Sequence, residues 1–248
     1  MQDFFQTSCK GLVTSPNGRD WWHHMPLPDG TRINGVNPDK EYQYKKWDAL
    51  GIPRVGGLAG KSVLDIGAND GFFTLAALKV GARAVTAINS DDWDSFPHNL
   101  RFASQAWGLR PEIITADFRD HPFHQKFDVI FFFGVLYHLE DVFGSMKLLR
   151  GLLDDRGVLY IETQMTTVVC DLPIFESASD LYPTTVAQYK QGLDRRGLSN
   201  YLLPNEHAVR NLAFSYDFDV EPLGGPQDRF TQENPSRRFF KLVKRTPA

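Results

Sequence analysis

Lys61–Phe73 reads KSVLDIGANDGFF. A short apolar run, Ser62 to Ile66, closes on a glycine-rich turn, and Phe72 to Val80 continues at helical spacing until Gly81 stops it. Strand, tight turn and helix follow one another. Glycines permit close backbone approach and positive φ, and the first N–H groups of the helix have no intrahelical partner, so this turn is expected to hold a ligand. The dinucleotide spacing G-x-G-x-x-G does not fit: with Gly67 first, Asn69 replaces the second glycine and Phe72 the last.

Outward from this turn the same alternation repeats. Ala84 to Ile88 is a second apolar run, a helix is predicted from Phe96 to Trp107 with Gly108 as its stop, and Glu112 to Ala116 is a third strand. Phe127 to Val135 is apolar on both alternating faces, as a central parallel strand covered by helices must be. A helix from Asp141 to Leu153 follows, then the loop Asp154 to Gly157 and a fifth strand, Val158 to Glu162. Strands alternating with helices predict a doubly wound α/β fold, a mostly parallel seven-stranded sheet with helices on both faces. Phe218 to Pro222 and Arg238 to Val243, joined by a polar loop from Gln227 to Arg237, suggest a final antiparallel pair at the sheet edge. Residues 1–57, rich in Gly, Pro, Trp and His with one helix-like stretch from Asp39 to Leu50, read as an N-terminal appendage over the active site. Residues 58–248 read as the main domain, with a lid or insertion near 165–205.

The chain has 248 residues, 42% of them hydrophobic and 23% charged, which suits one globular domain with appendages. Cys9 and Cys170 lie far apart in sequence, so no disulfide framework is expected and the compartment is read as reducing, hence cytoplasmic. No basic start precedes an apolar stretch, and no run approaches the roughly 18 apolar residues of a membrane span, so no membrane partner is expected. A net charge of −3 gives no global attraction to a polyanion. The basic residues Arg237, Arg238, Lys241, Lys244 and Arg245 alternate with apolar ones, more like a strand with a solvated face than a nucleic-acid patch.

In a doubly wound sheet, ligands bind beyond the carboxyl ends of the strands. After the first strand stand Asp65, Gly67, Ala68, Asn69 and Gly71; after the second, Asn89 and Ser90; after the third, Asp117 and Phe118; after the fourth, Gly134 to His138. The first group resembles the D-x-G-x-G-x-G motif of class I S-adenosylmethionine-dependent methyltransferases, a Rossmann-like family. The resemblance implies S-adenosyl-L-methionine as cofactor and S-adenosyl-L-homocysteine as product. It implies that Gly67 and Gly71 shape the turn around the methionine moiety and that Asp65 orients the loop or the ammonium group. Asn69 stands where the family has its middle glycine, a position Asn tolerates because it enters the left-handed region more readily than most residues. Asn89 stands where the family carries an acidic residue for the ribose hydroxyls, and its amide oxygen can still accept from one of them, with Asp91 or Asp92 nearby. Asp117 falls where the family places an acidic group near the adenine; a loop or helix cap is the other reading of the same residue.

Gly134-Val135-Leu136-Tyr137-His138, together with the lead-in residues Asn34 to Asn37, Glu41-Tyr42 and Lys46-Trp47-Asp48, resembles the tRNA wobble-uridine carboxymethyltransferase-like family and its small-molecule relatives. Tyr137 is expected to pack on the cofactor. His138 is a candidate general base, since its unperturbed pKa lies near neutrality, or else both residues cap the strand. In that family a lead-in lysine, the tyrosine and a late arginine hold a carboxylated cofactor. Tyr137 and Arg238 match, but the lysine position falls near Pro28 or Asp29, and the long N-terminal extension of the tRNA enzymes is missing. Without that cation the extra carboxylate lacks a charge-assisted partner, so ordinary S-adenosylmethionine and a small-molecule acceptor, such as a secondary metabolite, fit better than a nucleic acid. A carboxymethyl-transferring tRNA enzyme and a non-catalytic cofactor-binding module are the alternatives.

Trp21-Trp22-His23-His24 lines the acceptor pocket in one reading, with Trp22 and His24 as substrate contacts beside Tyr137 and Arg238; surface packing of a mobile lead-in is the other. His121 and His124 resemble a metal pair only superficially, because Pro122 interrupts the spacing and no carboxylate or cysteine partner is evident, so no metal is expected. Phe175, Tyr182, Tyr189 and Tyr201 lie in the irregular segment, as acceptor-specificity residues or as hydrophobic support of a lid. A monomer or a homodimer is compatible with all of this.

Overall fold

The computed structural model describes residues 4–6, 8–15, 17–90, 95–177, 201–224 and 227–245. Two compact units divide the chain, Met1–His121 and Pro122–Ala248.

The first unit opens with a small parallel pair, β1 (Leu12–Val13) and β2 (Arg32–Ile33), then α1 (Tyr42–Ala49). β3 (Ser62–Ile66), α2 (Phe72–Lys79), β4 (Ala84–Asn89), α3 (Phe96–Trp107) and β5 (Glu112–Thr115) follow as anticipated, and β4 pairs in parallel with both β3 and β5. Every residue of β3 is buried, and α2 buries Phe72 to Ala77. α3 starts at Phe96 with proline at its second position, where the missing N–H costs nothing, and ends on Gly108 in the left-handed region.

The aromatic residues before residue 57 belong to this unit's core. Phe4 packs against Phe72 and Trp107 at ring-centroid distances of 5.3 Å each, Phe5 against Trp47 at 5.2 Å, and Tyr44 edge-on against Phe72 at 5.2 Å. Trp21, His23, His24 and Met25 are buried as well. For Trp21, His23 and His24 the reading as surface packing of a mobile segment is therefore corrected: burial of these large side chains is what holds the lead-in.

The second unit contains β6 (Phe127–Phe133), a 3₁₀ turn (Leu136–His138), α4 (Val142–Leu152), β7 (Leu153–Gln164), the antiparallel pair β8 (Phe175–Ser177) and β9 (Leu202–Pro204), α5 (Glu206–Ser215), β10 (Phe218–Leu223), α6 (Arg229–Glu233) and β11 (Arg237–Lys244). β6 and β7 are parallel, and β11 runs antiparallel to both β7 and β10. Asp154 to Gly157 form a register irregularity inside β7, between the Phe127–Leu153 and Val129–Val158 pairs, with Arg156 at φ 61°. α4 starts where Asp141 accepts the Gly144 N–H at 2.7 Å.

Two helices were not anticipated. α5 is capped by Asn205, which accepts the Ala208 N–H at 2.9 Å, and α6 by Asp228, which accepts the Thr231 N–H at 2.8 Å. The latter falls inside the stretch read as a polar loop, because five residues with one buried aromatic, Phe230, show no periodicity. The seven-stranded sheet has the order β10-β11-β7-β6-β3-β4-β5, the Rossmann-like arrangement expected, with β11 as its reversed strand. Of the expected lid, residues 178–200 lie outside the described residues, and so do Tyr182, Tyr189, Asp91 and Asp92. No helix among the described residues is long and apolar enough to cross a membrane.

Candidate functional site

In the first unit β3 delivers Asp65 and then breaks into the turn. Gly67, Asn69 and Gly71 all adopt positive φ, at 73°, 51° and 82°. The Gly67 N–H donates to the Ile88 carbonyl at 2.9 Å and the Gly71 N–H to that of Ala68 at 2.8 Å, which tightens the loop against β4. Gly71 is the N-cap of α2 and makes no side-chain capping bond itself, while the Thr74 N–H of the first turn bonds the Asp65 carboxylate.

Asp65 is buried and its carboxylate accepts from the Thr74 hydroxyl at 2.6 Å. Burial pushes its pKa up to about 6, opposed by the Thr74 hydrogen bonds and by the charge of Lys46. Sequence reading named Lys46 only as part of a motif. Its ammonium group is buried, 5.3 Å from the Tyr42 ring centroid and 5.4 Å from that of Phe73.

A raised folded-state pKa gives the Asp65 carboxyl a stability contribution that is fully present below its ordinary 3.8 and lost as pH rises through about 6. The ligand-free Asp65→Asn variant should therefore be more stable than wild type at pH 7.5, by on the order of 1–3 kcal/mol, and no more stable at pH 4. Thermal denaturation at the two pH values checks this; equal pH dependence in both proteins would refute it.

Asn89 and Ser90 end β4. The Asn89 amide oxygen lies 3.5 Å from the Asn69 nitrogen, a long contact that leaves its acceptor capacity for another donor. Asp117 follows β5 and is engaged by Arg119, whose Nε donates to both carboxylate oxygens at 3.0 and 3.1 Å and whose backbone N–H donates to Oδ1 at 2.9 Å. These hydrogen bonds hold the Asp117 carboxyl below the usual range. Asp117 thus works as an ion-paired turn cap, beside the buried Phe118.

Asp70, which the sequence reading passed over, is the hub of the lead-in. Its Oδ2 accepts the backbone N–H groups of Trp22 at 2.6 Å and His23 at 2.7 Å, and its Oδ1 accepts the Asn99 amide at 3.0 Å. His24 is a correction. Its Nε2 meets the Asn37 carbonyl at 2.7 Å and its Nδ1 accepts the Gly35 N–H at 3.2 Å, so the buried ring braces the lead-in and has no nitrogen free for a substrate. Trp22, in contrast, is 38% exposed.

In the second unit, Gly134 has φ 73° and its N–H donates to the Glu162 carbonyl at 2.9 Å. Tyr137 is buried on the 3₁₀ turn, and His138 packs against it with ring centroids 4.2 Å apart. The residue beside Tyr137 is Arg237. Its Nη2 donates to the Tyr137 hydroxyl at 3.1 Å and its Nη1 pairs with the fully buried Glu162 at 2.7 Å. Arg238, expected in this role, instead donates to the carbonyls of Pro235 and Arg237. Adjacent residues of a strand face opposite ways, so a one-residue error in register exchanges the two arginines.

Residues 40–222 match the family described as "Methyltransferase domain". The chain is 29% identical over 148 residues to the tRNA U34 carboxymethyltransferase of Aeromonas hydrophila, covering 57% of this chain and 44% of the relative. It is 28% identical over 198 residues to that of Helicobacter hepaticus, covering 75% and 57%. The chain thus spans about half the length of these curated relatives. Among solved structures, magnesium protoporphyrin IX methyltransferase from Synechocystis, with bound S-adenosylmethionine, superposes with a TM-score of 0.57 at 17% identity, covering 86% of each chain. The Burkholderia thailandensis 1,6-didemethyltoxoflavin-N1-methyltransferase superposes with a TM-score of 0.54 at 17% identity, covering 76% of this chain and 72% of that one. These likenesses carry the fold. With the glycine-rich turn in place and about three-quarters of the chain inside the family's match, this chain belongs to the methyltransferase-domain family, whose cofactor is S-adenosylmethionine.

Proposed function

We propose that this protein transfers the methyl group of S-adenosylmethionine to an O, N or C atom of a small-molecule acceptor. The observation that carries the reading is the left-handed turn at Gly67, Asn69 and Gly71, which opens onto the start of α2 beside the buried Asp65. These residues fit the cofactor's chemistry: a helix N-terminus with its positive dipole end for its carboxylate, a carboxyl group and a backbone turn for its ammonium, and the Asn89 amide oxygen for a ribose hydroxyl.

The cofactor supplies an electrophilic methyl group on a sulfonium sulfur. Asp65, ionised by the approach of a cation, orients the ammonium group; Ala68 and Ser90 contribute backbone, and Phe118 an apolar border. Tyr137 is the positioning group for the acceptor and His138 the base that takes its proton, while the lead-in, residues 1–57, excludes water from a reactive electrophile. Trp22 offers the acceptor an aromatic face.

Two observations favour a plain methyl donor and a small acceptor. Arg237 is neutralised by Glu162, so it has no surplus charge for an added carboxylate on the cofactor. The C-terminal cations are also engaged: Lys241 pairs with Glu221 at 2.9 Å and Arg245 with Asp219 at 2.7 Å. The named relatives keep a tRNA substrate as the second reading.

Calorimetric titration with S-adenosylmethionine and S-adenosylhomocysteine tests the first step, and no binding at high micromolar concentration would end the enzyme reading. Methyl transfer to tRNA whose affinity falls steeply with salt would replace the small acceptor by RNA.

A further inference from the structure

We infer that Asp70 is a positioning residue that ties Trp22 to the cofactor turn, so that cofactor binding sets the aromatic wall on which a planar acceptor stacks. The inference rests on the S-adenosylmethionine reading above and adds to it a residue, a coupling and a class of acceptor.

Asp70 is fully buried, and a buried carboxylate is tolerable only when its oxygens are hydrogen-bonded. Its donors come from two other places in the chain, the Trp22–His23 backbone and Asn99 of α3. Asn99 carries the link further. It donates to the Asp20 carbonyl at 2.8 Å, and its own carbonyl oxygen accepts the Asn17 amide at 2.8 Å. One carboxylate therefore joins the glycine-rich turn, residues 17–23 and α3.

The opposite side of the Trp22 backbone is held too. The Val36 N–H donates to the Trp21 carbonyl at 2.7 Å and the Asn37 N–H to that of Trp22 at 3.2 Å. Gly35 lies so close that a Cβ there would stand 2.5 Å from the His23 carbonyl group and 2.7 Å from the Trp22 oxygen. Trp21, His23, His24 and Met25 are all buried, and Trp22 alone in this run stands 38% exposed. An exposed indole on a backbone clamped from both sides is a rigid platform, and stacking on it loses little conformational entropy.

The coupling follows from where Asp70 sits. It lies between Asn69 at φ 51° and Gly71 at φ 82°, inside the turn that closes on the cofactor. Any ordering of that turn by a ligand also orders the carboxylate, and with it the two N–H groups that define the position of Trp22.

Amide hydrogen exchange of the full chain, with and without saturating S-adenosylhomocysteine, tests this. Exchange of the Trp22 and His23 amides should slow about tenfold on binding in wild type, and by less than about twofold in Asp70→Ala at saturation. A purely structural Asp70 would speed exchange equally with and without ligand and leave their ratio unchanged, which would overturn the inference. So would binding to wild type with no slowing at these amides, a result that needs no variant. Should the alanine variant not fold, Asp70→Ser serves for the same comparison, since its short hydroxyl does not reach both N–H groups. Failure of wild type to bind S-adenosylhomocysteine at all would remove the cofactor reading and this inference together, whereas binding without slowing removes the inference alone.

Discussion

Replacing Gly71 with alanine is expected to destabilise the protein by about 2–5 kcal/mol and to abolish cofactor binding, because two penalties add at one atom. The residue adopts φ 82°, where a Cβ costs about 1–2 kcal/mol. The new Cβ would also stand 2.2 Å from Leu100 Cδ1 and 2.9 Å from its Cγ. Leu100 is fully buried in α3 and its Cβ also lies 3.2 Å away, so relieving the clash means repacking Leu100 or moving α3 or the turn, an overpacking cost of about 1–3 kcal/mol. The two causes separate with Gly71→Asn. Asparagine is at ease with positive φ, as Asn69 shows at φ 51°, yet it carries the same Cβ. It should therefore be no better than alanine at residue 71. Urea denaturation gives the stability and titration with S-adenosylhomocysteine the binding; a Gly71→Ala protein of wild-type stability would mean that α3 and the turn are not packed as described.

Arg237→Ala should be nearly as costly, by about 2–4 kcal/mol, through the partner it leaves behind. Glu162 has no exposed side-chain surface, and removing one member of a buried ion pair leaves a charge that water does not reach. Arg237 itself is 23% exposed, which places the expected cost below that of a wholly buried pair. Arg237→Lys should recover most of the stability, since an ammonium group can meet Glu162. It should not recover activity, because a lysine does not bond Glu162 and the Tyr137 hydroxyl from two nitrogens at once, as the guanidinium does at 2.7 and 3.1 Å. The double change Glu162→Gln with Arg237→Met should regain stability relative to Arg237→Ala while remaining inactive. A double-mutant cycle measures the coupling, and strictly additive effects would contradict the pairing.

Much of this molecule is legible along the chain. The strand, turn and helix of residues 62–79, the boundaries of α3 at Phe96 and Trp107, and the start of α4 at Asp141 all appear where local pattern puts them. The stops are chemical: a glycine in the left-handed region ends α3 at Gly108, and a side-chain cap starts α4. Such signals act over a few residues, which is why one sequence suffices to read them. α6 escaped because its signal, Asp228, stands in a stretch with no periodic run long enough to mark a helix, whereas α5 was missed although Asn205 precedes Ala208, Val209, Leu212 and Ala213 at helical spacing.

The site divides along the same line. Lys61–Phe73 alone determined the sharp turn, its left-handed glycines and the acidic residue behind it, since backbone permissiveness and hydrophobic period are written in adjacent residues. Only the tertiary structure decided that His24 is braced between Asn37 and Gly35, that Asp117 is already taken by Arg119, and that Arg237 meets Tyr137. It alone placed Asp70 against Trp22, 48 residues away in sequence, while it left Trp22 exposed. Each of these is a contact between segments distant along the chain, fixed by strand register and by the need to satisfy buried polar groups, and neither condition is expressed until the chain has folded.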